Sequence, residues 1–261
     1  MNSDTVATPE LRIATPPRLE WQVATVVDVR QETARARTLV LDVPNWLGHH
    51  AGQHVDVRLV AEDGYQAQRS YSIASAPEER TVALTVERLE DGEVSPYLCD
   101  VLKVGDGVEV RGPIGGYFVW ENHRAGRLLL VGGGSGIVPL MAMLRHHAHV
   151  EPALRASVPV RLLYSARTQD DVIYREELER VAQGPDVKVT FTLTRQAPPD
   201  WQGYRRRIDK RMLSAVSWPA SEMPRAFVCG PTPLVESVAS LLVELGHDPA
   251  LVRTERFGPT G

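Results

Sequence analysis

Apolar and polar residues alternate in short runs through the first half of the chain. Six such segments are dense in Val, Leu and Thr, and Gly, Pro, Asn and Asp separate them at close intervals. This pattern is typical of short strands, and its spacing favours a small antiparallel barrel over a βαβ fold. The chain is therefore predicted to begin with a six-stranded antiparallel Greek-key barrel, with strands at residues 21–30, 36–44, 53–60, 69–76, 81–89 and 107–115.

A short helix is predicted to interrupt the barrel strands. Ser95 and Pro96 stand directly before an apolar stretch at 97–102. Serine is a favoured N-cap residue and proline a favoured first helical residue, so the helix is expected to begin there.

The rhythm changes after about Asn122, where strand patterns alternate with helical patterns. This alternation predicts a parallel sheet covered on both faces, here a five-stranded α/β sheet. Strands are expected at 127–133, 160–166, 187–194, 225–230 and 251–257, and helices at 137–147, 174–182, 210–216 and 233–245. The predicted organisation is a flexible lead-in at 1–18, rich in Thr and Pro, then a barrel domain at 19–122 and an α/β domain at 123–261.

The first strand of the α/β half runs into a glycine-rich loop that begins a helix. The loop contains Gly133, Gly134, Ser135 and Gly136. Glycines let the backbone pass close to an anion, and the helix start offers unpaired N–H groups to a pyrophosphate. A dinucleotide fits this place, although the spacing differs from GxGxxG, and a tight turn without a ligand is the alternative.

Arginines stand where the second and third strands of that sheet end. NAD-selective folds often carry an acidic residue at the end of the second strand. This chain has Arg167 there, and Arg195 at the end of the third strand. Because guanidinium groups bind phosphate well, NADPH is favoured over NADH. Three more arginines follow at 205–207. They bind the same phosphate, form part of a solvated surface, or form a docking patch for an acidic protein.

Charge and cysteine content exclude several classes of partner and cofactor. A net charge of -4 and a pI of about 6.1 give no overall basic field for nucleic acid or an anionic membrane. Two cysteines cannot supply an iron–sulfur cluster or a Cys-rich zinc site, so any redox centre must be an organic cofactor. No apolar run is long enough to span a bilayer, and residues 1–18 lack the apolar core of a secretory signal, so a cytoplasmic location is expected.

Two groups of histidines suggest a metal site. They are His49, His50 and His54 in the first half, and His146, His147 and His149 in the second. Neighbouring residues complete no ligand set at either place, and histidines near a helix C-terminus are favoured by the helix dipole. No metal site is predicted.

The barrel half contains two elements that can bind an anion. One is Arg69, at the start of the run Arg-Ser-Tyr-Ser, and the other is the helix start at Ser95. Together they could hold a second pyrophosphate. Taken singly, each has an ordinary structural explanation: a surface ion pair for the arginine and a helix cap for the serine.

Six motifs in one order resemble the ferredoxin-NADP reductase family over residues 20–257. They are RxYS at 69–72, GxxS at 92–95, Gly-Pro-Ile-Gly-Gly at 112–116, the glycine loop at 132–136, Cys-Gly-Pro at 229–231 and Glu-Arg-Phe at 255–257. The resemblance implies that the barrel binds FAD and the α/β domain binds NAD(P). It implies that Arg69 and Ser95 hold the FAD pyrophosphate, that Tyr71 packs on the isoalloxazine and that Ser72 hydrogen-bonds near flavin N5. The remaining implied flavin-site residues are Ser70, Val86, Glu87, Arg88, Gly92 and Val94.

The same resemblance places a second group of residues at the nicotinamide end of the dinucleotide. These are Cys229, Gly230 and Pro231, followed by Thr232 and Pro233. Cys229 is then a packing neighbour of the hydride path, since nothing nearby in sequence activates it as a nucleophile.

Two C-terminal residues are also implied to serve the flavin. Glu255 is expected to relay or balance charge near the flavin edge, and Phe257 to cover the ring when nicotinamide is absent. Four residues extend the chain beyond Phe257, whereas the family often ends on an aromatic residue. The implied catalytic residues are Ser72, Cys229 and Glu255.

The resemblance implies an NAD(P)H-dependent flavoprotein that passes electrons to a separate acceptor. With no ferredoxin-type cysteine set in the chain, a stand-alone reductase is expected, serving a ferredoxin, a haem protein, an oxygenase or a molybdenum enzyme. A reductase of free flavin or ferric chelates is the first alternative. A non-catalytic subunit that carries flavin as a structural ligand is the second.

Overall fold

The computed structural model describes residues 19–121 and 126–258. The predicted lead-in at 1–18 and the predicted division between domains at 122–123 lie outside these ranges.

The first part of the chain forms the predicted six-stranded barrel. Its strands are all antiparallel and lie in the order β4-β3-β6-β1-β2-β5, and an isolated bridge between Ile73 and Leu84 joins the two edge strands. The sheet therefore closes on itself. The strands are β1 Gln22–Thr33, β2 Ala36–Asp42, β3 His54–Val60, β4 Gln66–Ser72, β5 Val82–Glu87 and β6 Gly107–Ile114.

The short helix of the barrel is present, but the predicted N-cap is wrong. The helix is one π-helical turn at Tyr97–Val101, and no side chain caps it. Ser95 Oγ instead accepts a hydrogen bond from the Leu89 backbone N–H at 3.1 Å. The Ser95 hydroxyl faces the turn that precedes the helix and stabilises that turn, so it does not cap the helix.

The second part forms the predicted five-stranded parallel sheet, in the order β11-β10-β7-β8-β9. Its strands are β7 Leu128–Gly133, β8 Val160–Ala166, β9 Val187–Leu193, β10 Arg225–Pro231 and β11 Val252–Phe257. The helices are α1 Ile137–Ala148, α2 Pro152–Arg155, α3 Arg175–Val181, α4 Lys210–Val216 and α5 Thr232–Glu244. Short 3₁₀ turns lie at Gly134–Gly136, Gln169–Asp171, Ala220–Glu222 and Pro249–Leu251.

Both faces of this sheet are buried, as its apolar strands require. Leu128 and Leu130 of β7 belong to the apolar cluster on one face, which includes residues of α1 and α3. Leu129 and Val131 belong to the cluster on the opposite face, which includes residues of α4 and α5. Among the helices of the described residues, none is long and apolar enough to cross a membrane.

Polar contacts fasten the two domains together on the side of α1 and α3. Arg145 Nη1 donates to the carbonyl of Ala74 at 2.8 Å, while its other nitrogens hold Glu177 at 2.6 and 2.9 Å. The Tyr174 hydroxyl donates to Thr85 Oγ1 of the barrel. These hydrogen bonds join the barrel to the α/β domain, beside an apolar cluster that contains residues of both.

The histidines at the end of α1 serve this junction and its surroundings. His146 Nδ1 lies 2.7 Å from Glu78 Oε1 of the barrel, and His147 Nε2 lies 2.8 Å from the Val158 carbonyl. Across residues 19–121 and 126–258, no three His, Cys, Asp or Glu side chains gather in a way that could hold a metal ion.

Candidate functional site

The sheet of the second domain has a topological switch point between β7 and β10. The chain runs from β7 outward to β8 and β9, and it then returns to place β10 on the other side of β7. Ligands of open α/β sheets bind in the crevice that this arrangement leaves at the carboxyl ends of the strands. The glycine loop at the end of β7 and the turn around Gly230 and Pro231 at the end of β10 both lie there.

Close packing of these two turns explains most of their glycines. A Cβ atom on Gly136 would overlap the backbone carbonyl of Cys229, and one on Gly133 would lie 2.6 Å from Leu234 Cδ1. Gly230, at φ +150°, would place a Cβ 3.0 Å from the Gly133 carbonyl oxygen. Gly134 has φ +55°, in the left-handed region that favours glycine. A larger residue is therefore excluded by backbone packing at Gly136, requires a shift of Leu234 at Gly133, and is disfavoured by the backbone conformation at Gly134 and Gly230.

The glycine loop also fits a dinucleotide pyrophosphate. No side chain caps the first turn of α1, which follows the loop directly at Ile137. The Ile137 N–H donates to the Gly134 and Ser135 carbonyls, and the N–H groups that follow it are free of side-chain acceptors and can meet an anion. Ser135, half-buried in the loop, adds a hydroxyl at the same place.

Strand β4 presents the four residues of the RxYS motif. The Arg69 side chain is 57% exposed and forms an ion pair with Glu93 at 3.3 Å. Tyr71 packs against the barrel core, and burial raises the pKa of its hydroxyl. Ser72 is buried, and its Oγ is without a hydrogen-bond partner in the described structure. A buried hydroxyl without a partner is costly, so Ser72 is suited to a ligand that supplies one. These residues fit a flavin whose phosphates lie on the exposed side.

Several of the other implied flavin-site residues use their side chains elsewhere. Ser70 Oγ donates to Asp56 Oδ1 at 2.7 Å, and Arg88 Nε donates to Asp100 Oδ2 at 2.7 Å. Val86 and Val94 are each 1% exposed in the barrel core, so only their backbone atoms can face a ligand. A Cβ on Gly92 would lie 2.8 Å from Ser95 Oγ, which makes this glycine a packing requirement of the turn.

Glu87 is where the two candidate cofactor regions meet. Its Oε2 lies 3.8 Å from the point that a Cβ on Gly134 would occupy. The end of barrel strand β5 therefore lies beside the glycine loop of the second domain. A flavin held by the barrel and a dinucleotide held by the loop would share this junction.

Cys229, Glu255 and Phe257 lie on neighbouring strands at the carboxyl ends of the sheet. Cys229 of β10 is directly opposite Glu255 of β11, and its thiol lies 4.0 Å from Glu255 Oε2. Burial raises the pKa of the Cys229 thiol, which keeps it protonated, and burial also raises the pKa of Glu255 to about 7. Phe257 is opposite Pro231 and packs against the apolar cluster of the α1 face.

The raised pKa of Glu255 predicts a pH-dependent stability. The folded protein binds a proton at this carboxyl between pH 4.5 and about 7, where the unfolded chain does not. The stability that this proton confers is complete below the unfolded pKa and is lost as the pH rises through the folded pKa. Glu255→Gln is therefore expected to raise the free energy of unfolding at pH 8 by about 1–3 kcal/mol and to change it little at pH 4.5.

Denaturant unfolding of the ligand-free protein at both pH values measures this effect. Glu62→Gln, on an exposed turn of the barrel, is the control for loss of a negative charge. An equal change at the two pH values would contradict the assignment of the raised pKa to Glu255.

His54 is a further candidate for the site, and the sequence analysis considered it only as a metal ligand. It lies directly opposite Ser72 in the β3–β4 pair, and its Nδ1 is 3.5 Å from the point that a Cβ on Gly115 would occupy. Opposed residues of an antiparallel pair are close neighbours. Burial lowers the pKa of His54, which favours the neutral imidazole in the residue opposite Ser72. Only the strand register reveals this pair.

The arginines expected to bind a 2′-phosphate divide into two groups. Arg167 and Arg195 are both exposed at adjacent strand ends, where the Arg195 N–H donates to the Arg167 carbonyl at 2.9 Å. Arg205 instead binds the carbonyls of its own loop, and Arg206 Nε donates to Asp209 Oδ2 at 2.7 Å. Within the triplet, Arg207 is exposed and makes no such local bond in the described structure.

Two family models match the chain in the order of its two domains. Residues 21–119 match the oxidoreductase FAD-binding domain, and residues 130–240 match the oxidoreductase NAD-binding domain. The first range covers the barrel, and the second covers most of the parallel sheet.

Relatives and solved structures share this organisation. The glycine betaine monooxygenase reductase subunit of Chromohalobacter salexigens is 34% identical over 240 residues, which are 90% of this chain and 63% of that protein. The ferredoxin–NAD(P)+ reductase component of the naphthalene 1,2-dioxygenase system of Pseudomonas putida is 26% identical over 91% of this chain and 69% of its own length. The flavohem-like FAD/NAD binding domain of nitric oxide dioxygenase from Vibrio cholerae has a TM-score of 0.80 at 24% identity, covering 91% of this chain and 99% of that domain.

The chain thus spans less than two thirds of the length of the glycine betaine monooxygenase reductase subunit, its relative at 34% identity. Its two matched domains follow one another along the chain, with the FAD-binding domain first and the NAD-binding domain second. The chain belongs to the ferredoxin-NADP reductase-like family of FAD- and NAD-binding oxidoreductases.

Proposed function

We propose that this chain is a reductase that takes a hydride from NADPH, or less effectively from NADH, and passes the electrons singly to a separate acceptor. The observation that carries the proposal is that Glu87, at the end of a barrel strand, lies beside the glycine loop, so that the two candidate cofactor-binding regions meet at one junction. A protein that only stored a flavin would not need a dinucleotide crevice at that point.

The barrel residues would hold FAD at its two ends. Arg69 and Ser95 would bind the pyrophosphate, Ser95 through its O–H, since a hydroxyl that accepts one hydrogen bond can still donate another. The Tyr71 ring would support the flavin ring, and the Ser72 hydroxyl would donate near N5. FAD, when bound, supplies the exchange between a two-electron donor and one-electron acceptors.

The second domain would orient the nicotinamide and manage charge around it. The glycine loop would hold the dinucleotide pyrophosphate, while Gly230 and Pro231 would shape the nicotinamide end. Cys229 would pack there as a neutral thiol. Glu255 would hold or release a proton near neutral pH, because its pKa is about 7.

The acceptor in this proposal is a separate one-electron carrier: a ferredoxin, a haem protein, an oxygenase or a molybdenum enzyme. Support comes from the relatives, which are named as reductase components of monooxygenase and dioxygenase systems. The proposal also places the protein in the cytoplasm, where free thiols such as Cys99 and Cys229 stay reduced. It places the division between domains at 122–123.

An anaerobic titration tests the whole proposal. NADPH or NADH is expected to bleach the yellow FAD-loaded protein, and a one-electron protein acceptor is expected to restore the colour rapidly. Faster turnover with free flavin or ferric chelates than with any protein acceptor would favour the first alternative function. A flavin that neither nicotinamide bleaches would favour the non-catalytic one.

The preference for NADPH should depend on the two exposed strand-end arginines. Replacing Arg167 and Arg195 together by alanine is expected to lower the ratio of kcat/KM for NADPH to that for NADH by roughly 10- to 100-fold, because each removes one charged hydrogen bond to the phosphate. Arg205→Ala is the control, since that side chain binds its own loop. Equal use of both nucleotides by the unsubstituted protein would contradict the proposed preference.

A further inference from the structure

Arg69 is engaged by a carboxylate at the place where it would bind FAD. Its Nη2 lies 3.3 Å from Glu93 Oε2, and the two side chains are 57% and 50% exposed. Its Nη1 donates to the Gln68 carbonyl at 2.7 Å, which orients the guanidinium along the strand. One cation therefore has two possible anionic partners, the Glu93 carboxylate and a pyrophosphate.

Glu93 is held in reach of Arg69 from two directions. The Tyr65 hydroxyl, on the β3–β4 turn, donates to the second carboxylate oxygen, Oε1, at 2.7 Å, and this bond raises the pKa of Tyr65. The turn that leads to Glu93 is closed by a backbone bond from Gly92 to Leu89 at 3.1 Å, and Ser95 Oγ braces it. Tyr65, Glu93 and Arg69 thus form a chain of three polar side chains across two turns of the barrel.

The electrostatics of this chain oppose an incoming phosphate. A pyrophosphate bound to Arg69 would lie beside the Glu93 carboxylate, and like charges at that separation repel. The ion pair itself is exposed and therefore weak, so a pyrophosphate can displace it. For the pyrophosphate to bind, the ion pair between Glu93 and Arg69 must nevertheless break and the Glu93 side chain must move away.

We propose that Glu93 is a competing anion that occupies Arg69 until the FAD pyrophosphate displaces it, and that Tyr65 keeps the carboxylate in place. The inference rests on the proposed function, which takes Arg69 as an FAD ligand. Glu93 therefore sets how readily the apoprotein takes up and releases its flavin. It occupies a variable position of the GxxS motif, so the competing charge is a feature of this sequence and not of the motif.

Titration of the apoprotein with FAD, monitored by the quenching of flavin fluorescence, tests the inference. Glu93→Gln is expected to lower the Kd for FAD roughly three- to fivefold, the scale of an exposed ion pair. Tyr65→Phe should lower it by a smaller factor, because Glu93 then swings away more easily. The difference in Kd between each variant and the unsubstituted protein should become smaller as the salt concentration is raised, since exposed charges are screened.

The matched control is Glu90→Gln, which removes an equal charge from the same turn without touching the Arg69 pair and should leave the Kd unchanged. An unchanged Kd for Glu93→Gln would overturn the inference, because Glu93 would then not compete for Arg69. A raised Kd would overturn it too, because Glu93 would then position Arg69 for FAD. Failure of the unsubstituted apoprotein to bind FAD at all would overturn the proposed function as well, so the two failures can be told apart.

Discussion

Gly136→Ala is expected to destabilise the second domain by about 2–4 kcal/mol and to abolish dinucleotide binding. The added Cβ would overlap the carbonyl of Cys229, which is backbone of the neighbouring strand and cannot rotate away. Either the glycine loop or the end of β10 must shift. Because both line the crevice at the switch point, the shift would also displace the groups proposed to hold the pyrophosphate.

Thermal unfolding and titration with NADPH measure the two effects separately. Gly116→Ala is the matched control, because a Cβ there would meet no atom within 4 Å. It should leave both the melting temperature and nucleotide affinity almost unchanged. If the Gly136→Ala and Gly116→Ala proteins had the same melting temperature, the glycine loop and the end of β10 would be less tightly packed than the structure indicates.

Ser72→Ala is expected to slow reduction of the flavin by NADPH roughly 10- to 100-fold, while leaving the ligand-free protein as stable as before or more stable. The rate falls because a hydrogen-bond donor at the reacting edge is lost. Stability does not fall because the Ser72 hydroxyl is buried without a partner, and removing such a group relieves a desolvation cost. A residue with a purely structural role would show the reverse.

Stopped-flow bleaching of the flavin and thermal unfolding of the apoprotein provide the two readouts. Ser70→Ala on the same strand is the control, because its hydroxyl is bonded to Asp56 and its loss should cost stability without slowing the reaction. If Ser72→Ala reduced the flavin at the unsubstituted rate, the proposed contact near N5 would be wrong.

The secondary structure of the second domain could be predicted almost residue by residue. The pattern placed β8 at 160–166 and α4 at 210–216, and the structure has these bounds. Strands buried on both faces are continuous apolar runs, and glycines or prolines mark their ends, so local sequence is sufficient. The helix α2 was missed because it is a single exposed turn.

The barrel was predicted less accurately at its edge. Strand β4 begins at Gln66, three residues before the predicted start, because the outward residues of this edge strand are polar and hide its pattern. The predicted cap at Ser95 was wrong for a different reason, which lies in the fold of the preceding turn. A serine before a proline is compatible with a cap, but the Leu89 N–H reaches its hydroxyl only in the folded turn.

The sequence by itself determined the order of elements, the two domains and the motifs of the family, because each depends on periodicity or on residues adjacent in the chain. Tertiary structure alone decided what each motif residue contacts. It paired Arg69 with Glu93, set His54 opposite Ser72, turned Arg205 into its own loop and buried Glu255 until its pKa reached about 7. Strand register, burial and electrostatic contact depend on segments far apart in the chain, and no local pattern records which of them will meet.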